Sequence, residues 1–183
     1  VVGVDGARYR DALAIVATDV ETGHQWPVDI QERPEDAPED YEHDFERADA
    51  AMLDLASKYK VWRAYVDPQY IEGLFDRWQG RWGDKVVLPW MTYRFRPMCF
   101  ALAAYRSAMT SGELSNDGDP VMASHITNAT KRDTNVVDDE GRPMWILEKP
   151  EQRRKIDAAM AGCLSWEARR DCIASGEWPP KKH

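Results

Sequence analysis

Short apolar runs with a two-residue period alternate along this chain with stretches of helical period. In Val1–Asp5, Val2 and Val4 share one face and Gly3 and Asp5 the other, the pattern of a buried strand. Residues 11–18 predict a second strand, Glu21-Thr22-Gly23 a turn, and residues 24–31 a third strand. Three strands with such short links form an antiparallel meander. Residues 34–39 form an acidic loop. From Tyr41 to Tyr59, Phe45, Ala48, Met52, Leu55 and Ala56 recur at the spacing of a helix face. Residues 61–66 predict a fourth strand, stopped by Asp67-Pro68. A helix over 70–82 follows, then a fifth strand over 85–88 stopped by Pro89. A helix over 97–111 closes at Gly112, a position that suits left-handed backbone. A short helix over 121–129, a hairpin pairing 134–137 with 143–148, and a long helix over 151–175 complete the order. This pattern predicts an α/β fold with a mixed sheet, residues 1–176 forming one domain and 177–183 a flexible tail.

Composition narrows the chemistry. A chain of 183 residues with 43% hydrophobic content can bury a real core. The net charge of -8 argues against a free-standing DNA binder, whose affinity comes from neutralising phosphates. The acid is concentrated, however, between Glu32 and Asp54, while basic residues gather around Arg94, Lys131, Lys149 and Arg169. Cys99, Cys163 and Cys172 are odd in number and lack the Cys-x-x-Cys spacing, which speaks against a disulfide framework or a zinc site. No apolar run approaches a membrane span, so no membrane association is expected.

Three aspartates stand where apolar elements end: Asp5 after Val4, Asp67 after Val66, and Asp157 beside Ile156 and a run of small residues. A buried carboxylate is costly unless it is paired or bound to a cation. Hard divalent ions such as Mg²⁺ and Mn²⁺ prefer carboxylate oxygen. Two such ions about 4 Å apart can hold both the attacking water and the leaving oxygen of a phosphodiester. The expected site therefore has Asp5 shared between two ions and Asp67 and Asp157 completing their shells. Gly6 is expected to let the backbone approach a ligand closely. Ala158, Ala159, Ala161 and Gly162 would let the last helix lie close against the sheet.

The segments Val-Gly-Val-Asp-Gly-Ala-Arg, Val-Trp-Arg-Ala-Tyr-Val-Asp-Pro and Lys-Ile-Asp-Ala-Ala-Met-Ala, in this order, resemble the nuclease domain of tailed-phage terminase large subunits. Leu114-Ser-Asn-Asp-Gly-Asp-Pro120, with His125 and Asn128 after it, is similar to actinobacteriophage members. The resemblance implies a ribonuclease H-like fold with a five-stranded sheet ordered 3-2-1-4-5. It also implies a metal-dependent endonuclease that cuts concatemeric DNA during genome packaging in the cytoplasm of the infected bacterium. Asp5, Asp67 and Asp157 match the family's catalytic acids. Asp11 is either an auxiliary metal ligand or a strand-start aspartate. In the full-length family protein the partners are a packaging ATPase, a small subunit and the portal. The chain has no phosphate loop and no starting methionine, so it reads as an isolated C-terminal nuclease domain.

Lys155, two positions before Asp157, is a candidate for neutralising the scissile phosphate. Lys131, Arg132, Lys149, Arg153 and Arg154 flank the hairpin and could form a rim against double-stranded DNA. Arg8 is a further candidate for a phosphate contact, and His125 reads as a structural histidine. Other readings of the same residues are a Holliday-junction resolvase or hybrid ribonuclease on the same fold, and a non-catalytic docking module using the acidic 32–54 face. An ATP-binding lobe of the actin type would need later glycine-rich loops, and the chain has none.

Overall fold

The computed structural model describes residues 1–9 and 11–178. Strands β1 (Val2–Gly6), β2 (Ala12–Thr18) and β3 (His24–Glu32) form the expected meander, with both pairings antiparallel. Helix α1 (Phe45–Lys58) leads to β4 (Ala64–Val66), and α2 (Glu72–Trp82) to β5 (Val87–Pro89). β4 pairs in parallel with β1 and β5 in parallel with β4. Then come α3 (Phe95–Ser111), β6 (Ser115–Asn116), α4 (Pro120–Asn128), the hairpin β7 (Thr130–Val137) and β8 (Pro143–Glu148), and α5 (Asp157–Ala174).

The five expected strands lie in the order 3-2-1-4-5. A sixth, β6, extends the sheet beyond β3, so the sheet has six strands rather than five. Two exposed polar residues, Ser115 and Asn116, make up β6, so no hydrophobic pattern announces it. β7 starts at Thr130, earlier than expected, because its first half is exposed and polar and takes its pairing from Trp145, Ile146 and Leu147 of β8. The last helix starts at Asp157, not Glu151. Residues 151–156 form turns, with Arg154 N–H donating to the Glu151 carbonyl at 3.0 Å. The predicted tail is packed where it begins: the Trp62 indole donates to Glu177, and Trp178 lines a groove with Val1 and Trp26. Residues 179–183 lie outside the described residues.

The two faces of the sheet differ. Val2, Val4, Leu13 and Ile15 pack against Met52, Leu55, Leu74 and Trp78 from α1 and α2. On the other face Ala14 and Val16 meet Ala158 and Ala161 of α5, while Tyr65 joins Leu102, Cys163 and Trp166. There α5 crosses so near β1 that a side chain on Gly3 would collide with the backbone of Ala161 and Ser165. Polar bridges seal this contact. Thr18 and Ser165 share a hydrogen bond of 2.6 Å, Gln25 Nε2 donates to the Gly162 carbonyl at 3.0 Å, and Tyr105 donates to Gln25 Oε1 at 2.6 Å. The small residues of α5 thus do what the sequence predicts. At Gly6 the Ala12–Leu13 backbone of β2 lies where a side chain would stand, so glycine lets these strands pass closely.

Candidate metal centre

Parallel pairing sets Val4 of β1 opposite Val66 of β4. The next residue on each strand, Asp5 and Asp67, therefore leaves the sheet beside the other, and Asp67 N–H donates to the Val4 carbonyl at 3.0 Å. Such carboxyl ends of adjacent parallel strands are the usual ligand-binding edge of an open α/β sheet. Asp5 shares the Gly3 face of β1, the face covered by α5. Asp157 lies one turn before Ala161, the residue over Gly3, and opens the helix at its first position.

Burial and neighbouring charge act on each carboxyl. Burial, then the charges of Asp157, Asp67 and Asp11, push the Asp5 carboxyl well above the usual carboxylate range. Burial and then the charge of Asp11 raise Asp157 to about 7, against backbone hydrogen bonds at Asp157 and Ala12. Asp67 is buried and fully engaged. It accepts from Thr92 N–H at 3.1 Å, from the Thr92 hydroxyl, and from Gln69 N–H at 3.2 Å. Asp11, just before β2, accepts from Lys149 and from Lys155 at 3.4 Å. Burial opposes its charge, but the two lysines outweigh it and hold its carboxyl below the usual range.

The donor set suits a hard cation: carboxylate oxygens from three elements, two of them held above their ordinary pKa by burial first and then by neighbouring carboxylates, Asp157, Asp67 and Asp11 for Asp5 and Asp11 for Asp157. Among the described residues no three His, Cys, Asp or Glu side chains are already gathered into an ion cage. Asp67 points its oxygens at Thr92 and Gln69, and Asp11 is taken by its lysines, so binding an ion requires these side chains to adjust.

The expected basic rim divides. Lys149 and Lys155 converge on Asp11; Lys155 precedes α5 and its side chain is 13% exposed, so it is not a surface helix residue. Lys131 lies over the Trp145 ring, and Arg132 meets Glu148 at 3.5 Å. Arg153 pairs with Glu151 and Arg154 donates to Asn128. Arg8 pairs with Glu42 at 2.9 Å. Much of the acidic 32–54 stretch is spent internally: Glu42 on Arg8, Glu46 on Arg77, Asp49 on Arg81, and Asp44 as the cap of α1. The residues that sequence reasoning missed are Thr92 and Gln69, which orient Asp67, and Tyr70. Tyr70 has φ 70°, alone among the described non-glycine residues in left-handed backbone, and lines a cleft with Ala7, Arg8, Tyr9 and Asp11. Asp67-Pro68 marked a turn, but nothing local distinguished Tyr70.

No protein-family model matches the chain. The Gene 13 protein of Mycobacterium phage D29 is 27% identical over 184 residues, covering 94% of this chain and 29% of that protein. The chain thus spans under a third of the length of the curated relatives it matches. Among solved structures, the large terminase nuclease from thermophilic phage G20c superimposes with a TM-score of 0.63 at 14% identity, over 91% of this chain and 80% of that one. The fold is that of the large terminase nucleases. The same G20c nuclease solved with bound magnesium matches with a TM-score of 0.58 at 15% identity, over 91% of this chain and 79% of that one. In sequence and in fold, the chain therefore resembles phage proteins and phage terminase nucleases.

Proposed function

We propose that the chain is a divalent-metal-dependent DNA endonuclease, the nuclease domain of a phage packaging terminase, with residues 1–176 as its working unit. What supports this reading is that Asp5 and Asp67 follow the paired Val4 and Val66, that Asp157 opens the helix packed over β1, and that burial and neighbouring carboxylates raise Asp5 and Asp157. The likeness to a terminase nuclease that binds magnesium supports it.

On this reading Asp5, Asp67 and Asp157 hold two Mg²⁺ or Mn²⁺ ions, with Asp11 as an auxiliary ligand. When bound, such ions activate water and neutralise the charge developing on a phosphodiester. The chain's own residues do the rest. Asp5 and Asp157 offer full negative charge only once deprotonated, so their proton affinity and their cation affinity compete. Thr92 and Gln69 fix the direction of Asp67. Lys149 and Lys155 bring positive charge to the site's edge, where a phosphate can replace Asp11 as their partner. Lys131, Arg132, Arg153, Arg154 and Arg8 contribute sequence-independent contacts to duplex DNA. In the whole protein an N-terminal packaging ATPase, the small subunit and the portal would deliver the DNA in the host cytoplasm, which removes the need for tight binding by this acidic piece.

The test is plasmid cutting in Mn²⁺. Asp5→Ala and Asp157→Ala are expected to abolish cutting while circular dichroism shows the wild-type fold. Undiminished cutting by either variant rejects the assignment. Offering plain duplex, branched DNA and RNA–DNA hybrid side by side separates a terminase-type cutter from a resolvase or hybrid ribonuclease.

A further inference from the structure

We propose that α4 is a clamp that positions Asp157, with His125 and Asn128 as its two jaws. The inference rests on the reading of Asp157 as a metal ligand.

A helix start leaves backbone N–H groups without partners, and a local Ser, Thr, Asp or Asn usually caps them. α5 has none: Ile156 occupies the cap position and no side-chain cap bond is made there. Instead the Ala158 N–H donates to Nδ1 of His125 at 2.9 Å, across 33 residues of sequence. Because Nδ1 accepts, the ring proton sits on Nε2, which faces Glu32 Oε1 at 3.0 Å at the end of β3. His125 is fully buried, and burial lowers its proton affinity despite Glu32. Asn128 lies three residues on, on the same face of α4. Its Nδ2 donates to the Lys155 carbonyl at 3.1 Å and its Oδ1 accepts from Arg154 at 3.1 Å.

The backbone is thus held on both sides of Asp157, at the Lys155 carbonyl before it and at the Ala158 N–H after it. A local cap would satisfy the same donor without adding a tie from the helix start to β3. The remote cap ties α5 to Glu32 of β3 through α4. Its expected role is to fix where the Asp157 carboxylate stands relative to Asp5. Partners that orient a metal ligand typically contribute about 10- to 100-fold in metal affinity.

Two substitutions divide the role. In His125→Asn the amide oxygen stands where Nδ1 stood and can still accept from Ala158. In His125→Gln the longer amide reaches toward Glu32 and the acceptor for Ala158 is lost. Mn²⁺ affinity is measured by calorimetry, and the melting temperature and Ala158 amide exchange are measured without metal. His125→Gln is expected to weaken Mn²⁺ binding about tenfold or more and to speed exchange at Ala158, while His125→Asn recovers most of both at a similar melting temperature. Asn128→Ala, outside the buried core, is expected to weaken Mn²⁺ binding to a smaller degree. Wild-type Mn²⁺ affinity in both His125→Gln and Asn128→Ala, with binding lost in Asp157→Ala, overturns the clamp but leaves the metal site standing. Wild-type affinity in Asp157→Ala overturns both.

Discussion

Alternate residues of β1 meet two different environments. Val2 and Val4 enter an apolar layer closed by α1 and α2, where Trp78 is fully buried and its indole donates to Asp49 at 2.8 Å. Gly3 meets α5 at backbone distance beside the polar bridges of Thr18, Ser165, Gln25 and Tyr105, and Asp5 on the same face is raised by burial and by neighbouring carboxylates. The first face gains stability from burial, about 1.5–3 kcal/mol for each large apolar side chain. The second spends part of that gain to hold charges where water is scarce. Buried carboxyl groups with raised proton affinity concentrate on the face where chemistry is proposed.

The largest effect that separates the faces is expected at Trp78. Trp78→Ala should cost about 3–5 kcal/mol in denaturant unfolding and leave the Mn²⁺ affinity of the folded protein unchanged. A loss of metal affinity with it would mean that the faces are not separable. Gly3→Ala comes next. It adds one methyl against the Ala161 and Ser165 backbone, and overpacking of that kind costs about 1–3 kcal/mol. Because it must push α5 off β1, it should also weaken Mn²⁺ binding, and calorimetry on the folded variant checks this. Wild-type binding would show that the spacing of α5 does not matter to the site.

The smallest effect is a slope with pH. Asp157 has its pKa raised to about 7 in the folded protein, so between the ordinary carboxylate range and about 7 the native state holds a proton that the unfolded chain has lost. Its contribution in metal-free protein therefore favours folding at low pH and fades as pH rises through about 7. Melting curves in chelator should show wild-type protein losing stability relative to Asp157→Asn across that window. His125, whose pKa is lowered, acts in the opposite direction at the acid end in both proteins and cancels in the comparison. Asp5, raised by burial and then by the charge of Asp157, is also relieved in Asp157→Asn, so the slope reports the two carboxyls together. Parallel curves for the two proteins would show that Asp157 is not under strain.

The apolar face was legible because its signal is local: Val2 and Val4 alternate, and Ala48, Met52 and Leu55 recur at helical spacing. Asp5 and Asp67 could be singled out because each ends such a run. Asp157 could be singled out by its small neighbours and by the family resemblance, but the start of its helix could not, since residues 151–156 break no helical rule in the sequence. What organises the site was hidden because it joins distant residues. Thr92 reaches Asp67 across 25 residues, His125 reaches Ala158 across 33, and Lys149 reaches Asp11 across 138. None of these pairs leaves a pattern in a local window. The partners of Glu42, Glu46 and Asp49 in the acidic 32–54 stretch were hidden for the same reason, since Arg8, Arg77 and Arg81 lie elsewhere in the chain.

The most direct measurement is anomalous diffraction from crystals soaked in Mn²⁺. Density peaks are expected between Asp5, Asp67 and Asp157, with Asp67 turned from Thr92 toward the ion. Peaks only at other carboxylates, or none at a concentration that supports cutting, would contradict this placement.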